Sequence, residues 1–227
     1  TLFITTNSQG AEDFRIVEAP VAPFTAAIAA PAVDLRSAPT TIATRRGFTY
    51  DRHLVRVVGV AIGEPIKGDD RWYHLDDGSF VPASATRPFA PPAPPRTWPG
   101  RWIDVNLTDF YITGYEDERP LYSALLVAGR DNRTPLGVFT IFSRVRSETM
   151  DSSTVGFPPG HPEYYLLKNV EYTQYFTNQG HAIHGNYWVH PSRFGRFSSN
   201  GCIGLLNRDA AWFWEFADYG VPINIHF

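Results

Sequence analysis

The stretch WIDVNL, residues 102–107, alternates strictly: Ile103, Val105 and Leu107 share one face, and Asp104 and Asn106 share the other. A period of two puts successive side chains on opposite sides of an extended chain, so this reads as a β-strand with one apolar face. Comparable runs follow in FYITGY (110–115), PLYSALLVAG (120–129) and GVFTIF (137–142), separated by the turn-rich EDER and RDNRTP. The last seven residues, VPINIHF, place Val221, Ile223, Ile225 and Phe227 on one side and Asn224 and His226 on the other. Only RDAAWFWEFADY (208–219) has helical character. Asn207 is placed to cap its start, Asp209 suits the positive end of the helix dipole, and Gly220 can close it. The C-terminal part is therefore expected to be mainly β with one short helix.

Working back from there, TRPFAPPAPPRTWPG (86–100) holds six prolines between Pro88 and Pro99. Proline lacks a backbone donor and favours extended geometry, so this reads as a semi-rigid spacer between two units. Ahead of it, HLVRVVGV (53–60), RWYHL (71–75) and SFVPA (79–83) are short strand-like runs. DDG (76–78) between the last two is a hairpin signal, because Gly and Asp tolerate positive φ. The spacing predicts a small antiparallel barrel. IVEAPVAPFTAAIAAPA (16–32) is Ala/Pro-rich and poor in charge. The expected division is an N-terminal extension without assigned structure at 1–31, a small β-domain at 32–87, a proline-rich linker at 88–97 and a second domain at 98–227.

Composition narrows the function classes. A hydrophobic content of 43% with 15% aromatics is ample for packed cores, and the net charge of -3 leaves no basic footprint for nucleic acid or an acidic membrane surface. No apolar run approaches the ~18 residues of a membrane span. The chain opens on Thr1 without a signal-peptide pattern, and reads as a mature or trimmed product.

The single cysteine, Cys202, lies in FGRFSSNGCIGL (194–205). One cysteine excludes an internal disulfide and a zinc cage of thiolates, leaving an inert buried thiol or a reactive one. A cysteine that attacks a carbonyl needs a nearby base and backbone N–H groups aimed at the developing oxyanion. Gly201 suits the second need, because it can take backbone angles closed to other residues. Among the seven histidines, His184 suits the first: IHG reads as a strand end opening into a loop, with the Gly185 carbonyl free to hold one ring nitrogen. A zinc site drawn from His161, His181, His184 and His190 is the rival. In an extended segment His181 and His184 face opposite sides, and no acidic residue lies within 172–201 to complete a ligand set. No metal or cofactor is expected.

His184, followed after fourteen residues by Ser199-Asn200-Gly201-Cys202, resembles the His…Ser-His-Gly-Cys signature of YkuD-type L,D-transpeptidases. Residues 102–141, with Thr-Pro-x-Gly-x-Phe at 134–139, are similar to that family's opening, and VEYTQYFTNQGHAIHGNYW (170–188) to its substrate-side segment. The resemblance runs through 98–227. Upstream, VDLRSAP, VRVVG and RWYHLDDGSFVPAS resemble bacterial SH3-like domains, which usually help secreted enzymes hold cell-wall material.

The resemblance implies a β-sandwich-like catalytic domain and a cysteine acyl-enzyme. Its target is the peptidoglycan tetrapeptide stem, at the bond between the third residue and terminal D-Ala. D-Ala leaves, and an amine from a neighbouring stem or wall-linked protein takes the acyl group. Cys202 is then the nucleophile, with the helix near 208 and His184 both expected to favour its thiolate. His184 is the base, the Gly185 carbonyl orients it, Ser199 supports the site, and the Gly201 and Cys202 amides form part of the oxyanion hole. Tyr172, Tyr175 and Phe176 line the donor groove, wall glycan is a partner, and carbapenem-type β-lactams are covalent inhibitors. The implied location is outside the cytoplasm. Two positions depart from the family: Asn200 replaces its histidine, and Gly204 replaces its Arg or Asn. Asn cannot titrate but still hydrogen-bonds. Gly204 removes a side chain that could meet a substrate carboxylate, with Arg193, Arg196 or Arg208 as candidate replacements. A hydrolytic relative using water as acceptor, and a wall-binding protein without catalysis, stay open.

Overall fold

The computed structural model describes residues 3–5 and 16–227. Residues 1–2 and 6–15 of the expected extension lie outside the described residues. The chain separates into two compact units at Ala90/Pro91, inside the proline-rich stretch.

The N-terminal unit holds β1 (Phe3–Thr5), β2 (Ile16–Ile28), β3 (Ala32–Arg36), β4 (Arg45–Tyr50), β5 (Leu54–Ile66), β6 (Asp69–Leu75), β7 (Phe80–Pro82) and β8 (Thr86–Pro88). They form one sheet in the order β1-β2-β5-β6-β7-β3-β4, with β8 also paired to β2. The β6–β7 hairpin turns at Asp76-Asp77-Gly78, where Gly78 has φ +78° and the Leu75 N–H donates to Ser79 O at 2.8 Å. Ala26 and Ile28 of β2 pack with Val55, Val57, Leu75 and Val81. β2 pairs with both β5 and β8, so the sheet includes residues ahead of 32, where the small β-domain was expected to begin. Burial of its C-terminal half explains the low charge there.

The C-terminal unit holds β9 (Arg101–Asn106), β10 (Tyr111–Glu116), β11 (Arg119–Leu125), β12 (Val127–Gly129), β13 (Gly137–Thr140) and β14 (Ser143–Asp151). After these come β15 (Leu166–Tyr175), β16 (Ala182–Gly185), β17 (Arg196–Ser199), β18 (Ile203–Leu205), α1 (Asn207–Phe216) and β19 (Pro222–His226). One sheet runs β11-β10-β9-β19-β13 and the other β14-β15-β16-β18-β12-β17. Their apolar faces join α1 in one core, which includes Ile103, Val105 and Leu107 with Ile183, Ile203, Leu205, Phe213, Ile223 and Ile225. The faces read from 102–107 and 221–227 thus hold, except that Phe227 is exposed.

Three local expectations are corrected. PLYSALLVAG is two strands: fully buried Leu126 donates its N–H to Phe110 O, and the chain crosses there from the first sheet to the second. In α1, Asn207 is the first helical residue, and Leu206 occupies the cap position without a side-chain bond. Asn207 instead sends its Nδ2 to Glu171 Oε2 at 3.0 Å. Ala217, not Gly220, ends the helix. What holds α1 is its inner face, Ala210, Phe213 and Phe216 at three-residue spacing, with buried Asp209 accepting from the Tyr122 hydroxyl at 2.7 Å.

The polar face of β9 is also buried, with Asp104 5% and Asn106 9% exposed. Parallel pairing sets Asp104 opposite Asn224. Asn224 Nδ2 donates to Asp104 Oδ1 at 3.1 Å, and His226 Nε2 lies 3.1 Å from both carboxylate oxygens. Asp104→Ala leaves the Asn224 amide buried without its acceptor and is expected to cost about 2–3 kcal/mol. Asp104→Asn should cost less, as read from urea unfolding midpoints of the two variants.

Candidate active site

β16 and β18 run parallel, with Ile183 opposite Ile203 and His184 opposite Gly204. Extending that register by one residue sets Ala182 beside Cys202. Partners in register share a face, so Cys202 and His184 project from the same side of adjacent strands, one step apart on the diagonal. His184 is 4% exposed, and its Nδ1 donates to Gly185 O at 2.8 Å, which leaves Nε2 as the acceptor nitrogen. Trp188 stacks on the imidazole with ring centroids 5.5 Å apart. Gly185 is required for a second reason: a Cβ there would meet Asn207 Oδ1 at 2.5 Å, where α1 begins.

The loop into Cys202 is clipped by Ser199, whose Oγ donates to Cys202 O at 2.6 Å and accepts the Gly201 N–H at 3.1 Å. The Gly201 amide, expected to face an oxyanion, is therefore already held by Ser199. Gly201 has φ +143°, and a Cβ on it would come within 2.8 Å of His181 Cδ2. Thr134 Oγ1 donates to Gly201 O at 2.8 Å and accepts the Gly129 N–H at 2.7 Å, tying this loop to the end of β12. His181 lies behind it, with Nε2 donating to Arg133 O at 3.0 Å and Nδ1 accepting from Thr177 Oγ1 at 2.7 Å. It braces a loop, whereas the sequence reading considered it only as a metal ligand. Among the described residues no three His, Cys, Asp or Glu side chains converge as a metal site.

Cys202, His184, Ser199, Asn200 and Gly201 line one cavity of about 570 Å³. Its other wall runs from Met150 near the end of β14, through Phe157, Glu163, Tyr164 and Tyr165 of the β14–β15 connection, to Leu167 at the start of β15. That connection carries a short turn over Ser152–Val155, capped by Asp151, and then Gly156 at φ +97°. The sequence reading passed over residues 143–169, where no period marks a buried face. It also missed Thr134 as a site residue, although the Thr-Pro run at 134–139 marked the place.

The expected groove residues fare unequally. Asn200 lines the cavity, where its Oδ1 accepts from Arg130 Nη2 at 2.5 Å. Phe176 is 4% exposed and packs in the core against Phe139. Tyr172, at φ +61°, packs against the same core under the Arg146 guanidinium, 3.9 Å from its ring centroid. Neither is among the residues that line the cavity. Tyr175 donates its hydroxyl to Glu148 Oε1 at 3.0 Å, and burial, Glu148 and nearby Cys202 raise its pKa. Arg196 is exposed at the start of β17, and Arg193 and Arg208 also lie outside the cavity wall. No side chain fits at Gly204, where a Cβ would meet Asn186 Nδ2 at 2.6 Å and Val127 Cγ2 at 2.7 Å.

Burial pushes the Cys202 thiol up to about 11; Glu148 adds to the shift, and the Ala182 N–H opposes it. Burial also lowers the His184 pKa, against the Gly185 carbonyl. Both shifts favour the uncharged form, so the resting pair is a neutral thiol and a neutral imidazole. Burial and Glu148 thus work against the expected thiolate at rest.

A family model for the L,D-transpeptidase catalytic domain, YkuD, matches residues 100–225. The probable L,D-transpeptidase 3 of Mycobacterium tuberculosis (strain ATCC 25618 / H37Rv) is 39% identical over 92 residues, 40% of this chain. That stretch spans 34% of the relative's own length. The structure of LD transpeptidase LdtMt1 in complex with imipenem is similar at 22% identity and a TM-score of 0.53, over 93% of this chain and 90% of that one. L,D-transpeptidase 3 from Mycobacterium tuberculosis in complex with a faropenem-derived adduct is similar at 24% identity and a TM-score of 0.52, over 73% and 78%. At these identities the two structures carry a likeness of fold alone.

A neutral resting pair has a direct signature. Alkylation of Cys202 by iodoacetamide, followed by intact mass, should keep rising with pH through 9 toward the thiol pKa of about 11. A rate plateau reached below pH 7 would instead indicate a preformed thiolate.

Proposed function

The chain belongs to the YkuD family of L,D-transpeptidase catalytic domains, and on that premise we propose that it is a peptidoglycan L,D-transpeptidase working through an acyl-enzyme on Cys202. The observation that carries the reading is the pair itself: a thiol and an oriented imidazole on one face of two parallel strands, at the wall of a cavity roofed by the β14–β15 connection.

From a neutral pair the chemistry runs as a concerted transfer. His184 Nε2 takes the Sγ proton as sulfur attacks the carbonyl carbon of the third stem residue, so charge develops only when the substrate is present. The Cys202 amide is the loop donor read as facing the oxyanion. Collapse breaks the C–N bond, and the imidazolium returns its proton to the departing D-Ala amine, leaving a thioester. An acceptor amine then attacks, its proton passes to His184, the C–S bond breaks, and the proton returns to sulfur as the new amide forms. The Gly185 carbonyl holds one tautomer through both halves, and the imidazolium regains in that bond part of what desolvation removes.

The same proposal covers the finer architecture and setting. The C-terminal unit is read as a β-sandwich, supported by the core its two sheets share, and residues 32–87 as SH3-like strands that hold wall glycan or stem peptide. Because the substrate is the wall, the site of action is outside the cytoplasm. Among the described residues no helix is long and apolar enough to cross a membrane. Carbapenem-type β-lactams are proposed inhibitors, supported by the imipenem complex of the similar structure.

Cys202→Ala should abolish D-Ala release from a stem tetrapeptide and prevent a carbapenem adduct in intact mass. His184→Ala should slow acylation by roughly 10²–10⁴, the range of general-base removal, and Asn200→Ala by less. D-Ala release from Cys202→Ala at the wild-type rate would overturn the proposal.

A further inference from the structure

We propose that Arg130 and Arg133 form a subsite for the free C-terminal carboxylate of the donor peptide, and that Glu163 occupies this subsite when no substrate is bound. The inference rests on the transpeptidase reading and adds a specificity element to it. Arg130 Nη2 lies 2.9 Å from Glu163 Oε1, and Arg133 Nη1 lies 2.8 Å from Glu163 Oε2. Each guanidinium thus takes one oxygen of a single carboxylate, a clamp shaped for a planar two-oxygen anion. All three residues line the cavity that holds Cys202. Glu163 is the one carboxylate among the cavity's described lining residues, and it belongs to the β14–β15 connection, whereas both arginines follow β12.

The clamp is tied to the nucleophile. Arg130 Nη2 also donates to Asn200 Oδ1, two residues ahead of Cys202, and the Arg133 carbonyl accepts from His181, against which Gly201 packs. In the donor, the nearest free carboxylate to the scissile carbonyl is that of the leaving residue, one Cα beyond the scissile nitrogen. A clamp anchored next to the cysteine loop lies on the wall of the same cavity as the nucleophile. The exposed sides of the ion pairs make exchange easy: the Arg130, Arg133 and Glu163 side chains are 42%, 32% and 24% exposed, and exposed pairs of this kind are weak. An incoming carboxylate therefore replaces Glu163 at little cost, and the freed Glu163 loosens the roof where the peptide enters. The clamp also gives Asn200 a role: an asparagine there turns a neutral acceptor toward Arg130.

The test uses the full chain with Cys202→Ala, so that donor peptides bind without turnover. Calorimetry compares the tetrapeptide ending in a free D-Ala carboxylate with the same peptide ending in a carboxamide. The carboxylate form should bind roughly tenfold tighter, as expected of hydrogen bonds to a charged group. Arg133→Gln should erase that preference, Arg133→Lys should keep part of it, and Glu163→Gln should tighten the carboxylate peptide while leaving the carboxamide unchanged. Equal binding of the two peptides overturns the proposal, as does failure of both to bind. Equal weakening of both by Arg133→Gln, Arg133→Lys and Glu163→Gln also overturns it, because it shows that the clamp only fastens the roof. Failure of the transpeptidase reading shows elsewhere: protein with Cys202 intact would release no D-Ala and take no carbapenem, whatever the binding preference.

Discussion

Parallel pairing of β16 with β18 is the constraint on which the site depends. It sets the residue after Ile183 and the residue before Ile203 on one face, and no local feature of either segment could do so alone. Everything around the pair preserves that register. Thr134 and Ser199 hold the loop ahead of Cys202 from two sides, and His181 packs where only Gly201 fits. At the other end, Gly185 lets the start of α1 come within contact of the strand end. The apolar core beneath, from Ile183, Ile203 and Leu205 to Phe213, fixes the strands to the helix, so the site rests on packed elements rather than on a mobile loop.

The same burial that fixes the pair sets its electrostatics. A desolvated thiol and a desolvated imidazole both resist charge, and each shift alone would read as inactivity. Together they describe a pair in which proton transfer and attack are coupled, so that the nucleophile is unmasked by the substrate that consumes it. Charge is confined to the cavity's rim, in Arg130, Arg133 and Glu163, where water can reach it. A neutral floor under a charged rim separates the chemistry from recognition.

The roof shows why the cavity could not be read from the chain. Residues 150–167 place Met150, Phe157, Tyr164 and Tyr165 against a cavity rather than a continuous core, so their spacing follows neither the period of a strand nor that of a helix. The aromatic run at 172–176 misled for the complementary reason. Tyr172 and Phe176 have the composition of a binding groove, but β15 and the residue after it pack them against the apolar core, and aromatic side chains have the same chemistry in either place.

By itself the sequence determined the strands with a clear period of two and the chemistry available. Alternation at 102–107 and 221–227 reflects side-chain geometry along one strand, which is local, and the β6–β7 turn reflects the backbone freedom of Gly78. The Gly185 carbonyl as the partner of His184 was readable locally, because a strand end followed by glycine leaves that carbonyl free for the ring, whereas the pairing of Cys202 with His184 came from the motif resemblance and not from any local feature. Only the tertiary structure decided what lies far apart in the chain: Asp104 buried against Asn224, Arg130 and Arg133 brought to Glu163, and Leu126 carrying one run of residues into two sheets. Desolvation belongs to the same class. The protonation state of Cys202 depends on what surrounds it in space, and those neighbours, Ala182 and Glu148, are contributed by strands that the sequence keeps apart.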